Sequence, residues 1–244
     1  MKTCIVVPVY NHEDAIPKVV EKLKEFKLPC FLINDGSSLQ CAQVLEDCAK
    51  RESSWLTLIN RPENSGKGAA VLDGFKAARL LGFSHALQID ADGQHDINDI
   101  AVFLAASKQN PNAMILGKPL FDPSAPKSRL YGRRVTNFWI AINTLSLQIA
   151  DGMCGFRLYP LAAVAELIAT TPIAKRMDFD IDIVVRLYWQ GVDTINIQTA
   201  VQYPYDGVSH FKMWRDNVMI SKAHAKLFFG MLPRLPQLLK RHWR

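Results

Sequence analysis

The first half of the chain alternates short apolar runs with longer amphipathic stretches. A turn rich in Gly, Asn, Asp or Ser follows most of the runs, and the stretches between them carry a helical pattern. This alternation predicts strands at residues 3–9, 30–34, 55–61, 85–89 and 113–117, with helices between them. Strands that alternate with helices indicate an α/β fold, with a mostly parallel central sheet covered by helices on both faces.

The second half predicts a less regular arrangement. Helices are expected over residues 135–149, 161–169 and 177–190, and strands over 156–159 and 194–201. No internal repeat or low-complexity stretch divides this part of the chain, so we expect it to complete the same domain.

The C-terminal segment is distinguished by its charge. The chain has a net charge of +6, yet no acidic residue follows Asp216. Basic residues there lie among apolar residues spaced three or four apart, and Pro233 and Pro236 are expected to break the helix into two pieces. We expect one domain over residues 1–216 and a basic amphipathic appendage over 217–244. The appendage either packs on the sheet or lies on an anionic membrane surface. Nucleic acid is not expected, because no stacking aromatics or recognition motif accompany the charge.

Cysteine usage and hydropathy indicate a location for the protein. The five cysteines form no Cys-x-x-Cys pair, which favours buried free thiols in a reducing compartment. No apolar run approaches the roughly 20 residues of a spanning helix. The first residues resemble a strand rather than a signal peptide. The expected location is cytoplasmic, with peripheral association at the inner face of the membrane.

Two carboxylates end the fourth predicted strand. Asp90 and Asp92 flank one alanine, and Gly93 permits a sharp turn after them. Open α/β sheets bind ligands at this end of their strands. Two carboxylates so close repel each other unless a cation neutralises them, and oxygen ligands suit Mg²⁺ or Mn²⁺ with a bound diphosphate. The alternative is a polar turn whose Asp residues cap the next helix.

Other polar motifs end the second and third strands. Asp35 lies in Asn-Asp-Gly-Ser-Ser, where it either binds a base or ribose or belongs to a helix cap. Lys67 lies between two glycines at the start of a helix, as a phosphate contact or part of a flexible turn. Because parallel strands place their carboxyl ends along one edge, we expect Asp35, Lys67, Asp90 and Asp92 to line the same edge.

Three later features carry charge. Arg129, Arg133 and Arg134 form a cluster that either binds an anion or is solvated surface. Asp178, Asp180 and Asp182 alternate with apolar residues. Their mutual repulsion either raises the pKa of one of them, which suits a general base, or the three carboxylates favour the start of a helix. His210, in a loop after Gly207, is either a surface residue or a contact to phosphate or metal.

Four motifs in order carry a family resemblance: Val-Pro-Val-Tyr-Asn at 7–11, Asn-Asp-Gly-Ser-Ser at 34–38, Asn-Ser-Gly-Lys-Gly at 64–68 and Asp-Ala-Asp-Gly-Gln-His at 90–95. The chain resembles family 2 glycosyltransferases of the GT-A (nucleotide-diphospho-sugar transferase) fold. The nearer likeness is to the dolichyl- or polyprenyl-phosphate sugar synthases. The resemblance covers residues 3–117, and the Asp-Gly-x-x-Gly-Phe-Arg motif at 151–157 extends it.

The resemblance implies roles for the donor and the metal. The donor would be a UDP- or GDP-linked sugar. The residues that would bind it are Pro8, Tyr10, Asn11, Asp35, Lys67 and Asp90. The metal, Mg²⁺ or Mn²⁺, would be bound by Asp92, with Asp90 and Gln94 beside it.

The resemblance also implies roles for the acceptor. In members that act on a hydroxyl, an acidic residue before the next helix is the base, and this position matches Asp180, with Asp178 as the competitor. In the lipid-phosphate branch, Arg residues after the fifth strand hold the acceptor phosphate, which here implies Arg129 and Arg133, and we place His210 with them.

The expected activity is metal-dependent, inverting transfer of a sugar to a lipid-linked or glycan acceptor. A polyprenyl-phosphate sugar synthase, whose acceptor is a lipid phosphate, is the first alternative. A non-catalytic nucleotide-binding, membrane-associated module and a nucleotidyltransferase are the others. The nucleotidyltransferase is less favoured, because residues 8–12 lack the Gly-rich basic loop that such enzymes carry after the first strand.

Overall fold

The computed structural model of the protein describes residues 1–121, 127–201 and 213–242. The strands within these ranges are β1 (Thr3–Val9), β2 (Cys30–Asp35), β3 (Leu56–Arg61), β4 (His85–Gln88), β5 (Met114–Phe121), β6 (Arg157–Pro160) and β7 (Thr194–Val201). The helices are α1 (Ile16–Lys24), α2 (Leu39–Arg51), α3 (Lys67–Leu80), α4 (Ile100–Gln109), α5 (Lys127–Thr144), α6 (Leu161–Thr170), α7 (Phe179–Trp189), α8 (Met213–Met231) and α9 (Leu235–His242).

One helix differs clearly from its sequence prediction. Helix α5 begins eight residues before the predicted start at 135 and ends at Thr144 instead of 149. The early end has a local cause, because Leu145 has φ +50 and Ser146 donates its backbone N–H to the Ala141 carbonyl at 3.1 Å. This left-handed turn closes the helix, although leucine rarely adopts that conformation.

The seven strands form one sheet in the order β3-β2-β1-β4-β6-β5-β7. Strands β1 to β4 are parallel to one another, and β5 is parallel to β7. Strand β6 is antiparallel to both of its neighbours, with Arg157 opposite Gln88 of β4. The prediction of a mostly parallel sheet is confirmed, and the reversed β6 brings its first residue to the carboxyl end of β4.

Helices cover both faces of the sheet, as predicted. Strand β1 is buried along its whole length. Its Ile5 and Val7 face a core formed with α1, α2 and α4, whereas Cys4 and Val6 face a core formed with α3, α6, α7 and α8. All five cysteines are buried and unpaired, which confirms the expected free thiols.

The basic C-terminal segment packs against the second of these cores. Leu227, Met231 and Leu238 are buried beside residues of α7, and Arg241 donates to the Val192 carbonyl at 2.8 Å. Helix α8 runs through the boundary at 216 and 217 that the sequence suggested, and it ends before Pro233, as expected. None of the described helices is both long and apolar enough to cross a bilayer.

Candidate functional site

The carboxyl ends of β1 to β4 meet at one edge of the sheet because these strands run parallel. The reversed β6 adds its first residue, Arg157, at the same edge beside Gln88. The edge therefore gathers polar side chains from loops that lie far apart in the sequence. The structure places the Asp and Lys residues that follow β2, β3 and β4 along this one edge, as the sequence predicted.

Lys67 lies between two carboxylates at the centre of this edge. Its Nζ atom is 2.7 Å from Oδ2 of Asp180 and 2.8 Å from Oδ1 of Asp90. Gly66, which precedes α3, has φ +104, and a Cβ there would lie 2.5 Å from the Lys175 carbonyl oxygen. Only glycine fits this turn, so glycine is what allows the chain to present Lys67 to the edge.

Charge pairing determines the protonation of this cluster. Burial alone would lower the pKa of Lys67, but Asp180 and Asp90 hold that pKa above its ordinary value. Burial alone would raise the pKa of Asp90, but the attraction of Lys67 and of His95, whose Nε2 is 3.8 Å away, holds it well below its usual range. Lys67 is therefore an ammonium and Asp90 a carboxylate at neutral pH.

Asp180 is surrounded by hydrogen-bond donors. In addition to Lys67, Nε2 of Gln88 donates to its Oδ1 at 3.1 Å. Nη1 of the fully buried Arg157 donates to the Asp180 main-chain carbonyl at 2.6 Å and lies 3.6 Å from Oδ1. The Asp180 side chain is only 8% exposed. Both of its carboxylate oxygens therefore have a donor from the protein itself.

Asp92 lies in the turn after β4, where its charge is less compensated. Its Oδ1 accepts the backbone N–H of Gln94 at 3.1 Å, and Gly93 between them has φ +71. Burial and the nearby Asp90 carboxylate raise the pKa of Asp92. A cation beside Asp92 would relieve this repulsion, so the pair fits a divalent metal that prefers oxygen ligands.

The loop before β6 presses against Asp90. A Cβ on Gly155 would lie 2.0 Å from Oδ2 of Asp90, so only glycine allows this approach. Asp151 holds the loop by accepting the Cys154 backbone N–H at 2.7 Å. Nη1 of Arg133 lies 2.5 Å from the same oxygen of Asp151, which ties α5 to the loop and, through the loop, to Asp90.

The loops after β1 and β2 are bonded to each other. Oδ1 of Asn11 accepts the backbone N–H of Ser38 at 2.8 Å, and the Asn11 N–H donates to Oγ of Ser37 at 3.1 Å. Asn11 has φ +51, a conformation that asparagine tolerates better than most residues. Pro8 is buried in β1, and Tyr10 is partly exposed beside this junction.

Asp35 organises the turn that leads to Lys67. It is almost fully buried and pairs with Arg61. Its Oδ2 accepts the Gly66 backbone N–H at 2.8 Å, and its Oδ1 accepts that of Ser65 at 3.1 Å. The structure thus places Asp35 at the predicted edge, where its oxygens bind the protein's own loop.

Comparison with known proteins identifies the family. Residues 4–168 match the model of glycosyl transferase family 2, and this span is more than half of the chain. The chain belongs to glycosyl transferase family 2. The recognition made from the motifs is therefore confirmed, and the protein is a glycosyltransferase.

Relatives of this glycosyltransferase include enzymes of lipid-linked sugar synthesis. A dolichyl-phosphate beta-glucosyltransferase of Trichomonas vaginalis is 29% identical, over 74% of this chain and 59% of that protein. A dolichyl-phosphate beta-glucosyltransferase of Dictyostelium discoideum is 28% identical, over 93% and 74% of the two chains. Polyprenol monophosphomannose synthase of Mycolicibacterium smegmatis is 22% identical, over 89% and 83%. The matching part is thus less than two thirds of the Trichomonas protein.

Solved structures of other transferases share the fold. Glucosyl-3-phosphoglycerate synthase from Mycobacterium tuberculosis, in complex with Mn²⁺, UDP and phosphoglyceric acid, has a TM-score of 0.68 at 12% identity, over 94% of this chain and 78% of that one. Staphylococcus aureus TarS in complex with UDP-GlcNAc has a TM-score of 0.62 at 17% identity, over 100% and 73%. At these identities the likeness concerns the fold alone, and it confirms the expected GT-A architecture.

Three residues of the glycosyltransferase site received no role from the sequence. Gln88 and Arg157 donate hydrogen bonds to Asp180. Asp151 binds Arg133 and also holds the loop that lies against Asp90. Signals for two of them were visible, because Gln88 is a polar residue between two apolar ones in a buried strand, and Arg157 ends a family motif. Their partners were not visible, since pairing across the sheet depends on tertiary structure.

The other predicted acidic residues have separate environments. Asp182 accepts from Nε of Arg186 at 2.6 Å and from the Ala174 backbone N–H at 2.9 Å, so it stabilises the start of α7. Asp178 is half-buried and precedes α7 without capping it through its side chain. Burial, more than the charge of Asp182, raises the pKa of Asp178.

The predicted acceptor residues are only partly described. Arg133 pairs with Asp151, and its guanidinium lies 5.0 Å from the centre of the Phe121 ring. Arg129 lies within α5, but its side chain is outside the described part of the structure. His210 lies in residues 202–212, which are also outside it.

Proposed function

We propose that the enzyme transfers a sugar from a nucleoside diphosphate sugar to a polyprenyl phosphate, with inversion at the anomeric carbon. The observation that carries this choice of acceptor is the enclosure of Asp180 by Lys67, Gln88 and Arg157. A general base needs an oxygen within reach of the acceptor proton. A phosphate acceptor is already ionised and needs no base, and the relatives that use dolichyl phosphate by name support the same choice.

The donor would bind along the sheet edge. Pro8, Tyr10, Asn11 and Asp35 form the side of this edge that we assign to the nucleotide, and uridine is supported by the neighbours that bind UDP. Lys67 would face the diphosphate as a cation, since its pKa is held above its ordinary value. Preorganised cations of this kind stabilise the charge that develops on the leaving diphosphate.

A divalent metal, Mg²⁺ or Mn²⁺, would be held by Asp92, with Asp90 and Gln94 beside it. The raised pKa of Asp92 supports this assignment, because it marks negative charge that the protein leaves uncompensated. The described residues contain no cluster of three or more His, Cys, Asp or Glu suited to a metal. Mg²⁺ is commonly held by one or two carboxylates together with substrate phosphates. When bound, the metal would neutralise charge on the leaving diphosphate.

A glycan or lipid-linked hydroxyl is the second candidate acceptor, and one observation favours it. Asp178 is half-buried, and its pKa is raised above the usual range. Such a carboxylate is better matched to proton abstraction than an ordinary Asp. In this case Asp178 would be the base and Asp180 the counter-ion of Lys67.

Substitutions at three positions separate these acceptors. For a phosphate acceptor, we expect Arg133→Ala to lower kcat/KM toward polyprenyl phosphate by about 10–100-fold, because a charged hydrogen bond is lost. Asp178→Asn and Asp180→Asn should then be mild, since no base is needed and asparagine at 180 still accepts from Lys67. For a hydroxyl acceptor, Asp178→Asn would instead lose about 10²–10⁴ in rate, and the same loss for Asp180→Asn would make Asp180 the base. Steady-state kinetics measure these effects, and Arg134→Ala is the control because Arg134 is an exposed neighbour.

Association with a membrane is the second prediction of this proposal. Lys222, Lys226 and Lys240 of the C-terminal segment are exposed. Each basic residue near an anionic leaflet adds about 1 kcal/mol. Replacing all three by Gln should therefore weaken binding to phosphatidylserine vesicles by roughly two orders of magnitude at low salt.

Vesicle co-sedimentation measures this effect. The matched control replaces the exposed Lys18, Lys22 and Lys108 by Gln. Removal of the whole segment is unsuitable, because Leu227 and Met231 belong to the core. Equal binding by both triple variants, or binding that ignores salt, would contradict the membrane role.

The donor class has its own experiment. We expect release of UDP or GDP from a panel of nucleotide sugars incubated with Mn²⁺ and polyprenyl phosphate. Release of pyrophosphate would indicate a nucleotidyltransferase instead, and the absence of turnover with every donor would indicate a binding module.

A further inference from the structure

Arg176 lies in the loop between α6 and α7, against the glycine turn that begins α3. A Cβ added to Gly66 would lie 2.6 Å from Cγ of Arg176, so the stem of the arginine packs directly on this turn. Two backbone hydrogen bonds fix the loop. The Lys175 carbonyl accepts the Ala69 N–H of α3 at 3.0 Å, and the Arg176 carbonyl accepts the Phe179 N–H of α7 at 3.2 Å. The side chain of Arg176 therefore extends from an anchored position of the backbone.

The guanidinium of Arg176 has more donors than partners. Its Nη1 donates to Oδ1 of Asn64 at 3.4 Å, which is long beside the roughly 2.7–2.9 Å of a charged pair. No ion pair among the described residues includes Arg176, whereas the other cations at this edge, Arg61, Lys67 and Arg157, each have a carboxylate partner. A half-buried guanidinium whose acceptor is neutral and distant is suited to bind an anion.

The turn beside Arg176 connects the two parts of the proposed donor site. Asp35, on the nucleotide side, accepts the backbone N–H groups of Ser65 and Gly66, and Lys67 follows directly. Lys67 is already paired with two carboxylates, so it offsets only part of the charge that a diphosphate brings. Arg176 lies against the same turn and can supply further positive charge there.

We propose that Arg176 binds the donor by donating hydrogen bonds to the phosphate nearer the nucleoside. This phosphate is chosen because the turn that Arg176 contacts is held by Asp35, on the nucleotide side. The assignment rests on the proposed function, because it takes the ligand to be a nucleoside diphosphate sugar. Arg176 then favours a phosphorylated nucleoside over the nucleoside itself.

Calorimetry with three ligands of one series tests this role. Uridine, UMP and UDP, or the guanosine series if the enzyme prefers it, are titrated into the full chain in the presence of Mn²⁺. We expect Arg176→Gln to weaken UMP and UDP by about 10–100-fold and to leave uridine unchanged, because a charged hydrogen bond to phosphate is lost. Arg176→Lys should fall between, since it keeps the charge but not the guanidinium fork. Lys175→Gln, at an exposed neighbour in the same loop, is the matched control.

A further variant distinguishes phosphate binding from support of the turn. Asn64→Ala removes the hydrogen bond to Arg176 but keeps the guanidinium, so it should preserve the preference for UDP over uridine. If Asn64→Ala and Arg176→Gln lost that preference equally, Arg176 would only hold the turn, and its role in binding would be overturned. Equal losses for uridine and UDP in Arg176→Gln would overturn it as well.

Kinetics place the effect on the donor side. Arg176→Gln should raise KM for the nucleotide sugar and leave KM for polyprenyl phosphate unchanged, and a rise for the acceptor alone would contradict the assignment. Nucleotide binding that is unchanged in Arg176→Gln would overturn the role of Arg176 alone. Failure of the unmodified enzyme to bind UDP or GDP would instead overturn the proposed donor, and the role of Arg176 with it.

Discussion

Asp92→Asn is expected to reduce sugar transfer by about 10²–10³ while the protein remains folded. The substitution removes one charge from the pair at the end of β4 that we propose binds the divalent cation. Folding should be unaffected or slightly improved, because the raised pKa of Asp92 shows that its ionised form is disfavoured where it lies. Steady-state rates with Mn²⁺, beside a thermal melt, measure both effects.

The control for Asp92→Asn is Asp47→Asn, which removes one carboxylate from the exposed face of α2. Its rate should equal that of the unmodified enzyme. Chelation by EDTA should reproduce the loss seen for Asp92→Asn, and added Mn²⁺ should restore the unmodified enzyme but not the variant. Full transfer in EDTA would rule out the metal.

Lys67→Met is expected to affect both stability and rate. The side chain is 17% exposed and lies between Asp90 and Asp180, so its removal leaves two largely buried carboxylates without their cation. Breaking a buried pair by removing one partner costs about 3 kcal/mol or more. Transfer should fall by about 10²–10³, because a preorganised cation is lost from the site that we propose for the diphosphate. Urea unfolding and steady-state kinetics measure the two effects separately.

A double variant separates these two roles of Lys67. Lys67→Met combined with Asp180→Asn removes one of the stranded charges, so it should recover part of the stability but none of the rate. Lys76→Met, on the exposed side of α3, is the control and should change neither. If the double variant were no more stable than Lys67→Met alone, Asp180 would not be the counter-ion that the structure indicates.

Much of the fold could be predicted from local sequence patterns. The alternation of apolar runs and helical stretches, with glycine at the turns, is strong in the first 117 residues, and the observed strands there start within one residue of the predictions. Parallel strands share an edge by geometry, so the approach of Lys67 to Asp90 also followed from the pattern. The end of α5 could not be predicted from the pattern. It depends on Leu145 in a left-handed backbone conformation, which leucine rarely adopts.

The partners of the site residues could not be predicted in the same way. Lys67 and Asp180 are 113 positions apart, and their pairing depends on how α7 packs beside α3. The sequence suggested a base at Asp180 from the family motif, but the donors around it come from a reversed strand whose direction no local pattern shows. Likewise, the sequence showed an apolar stripe after Asp216, but it did not show which residues of that stripe are buried in the core.

Transfer of a radiolabelled sugar to matched acceptors distinguishes a phosphate acceptor from a hydroxyl acceptor. The enzyme is incubated with Mn²⁺ and a UDP-sugar, and the acceptor is either a polyprenyl phosphate or the polyprenol of the same chain length. A phosphate acceptor predicts a labelled lipid phosphate and no labelled product with the alcohol, because both carboxylate oxygens of Asp180 already accept from Lys67 and Gln88 and are not available to deprotonate a hydroxyl. Equal or preferential labelling of the polyprenol would contradict it.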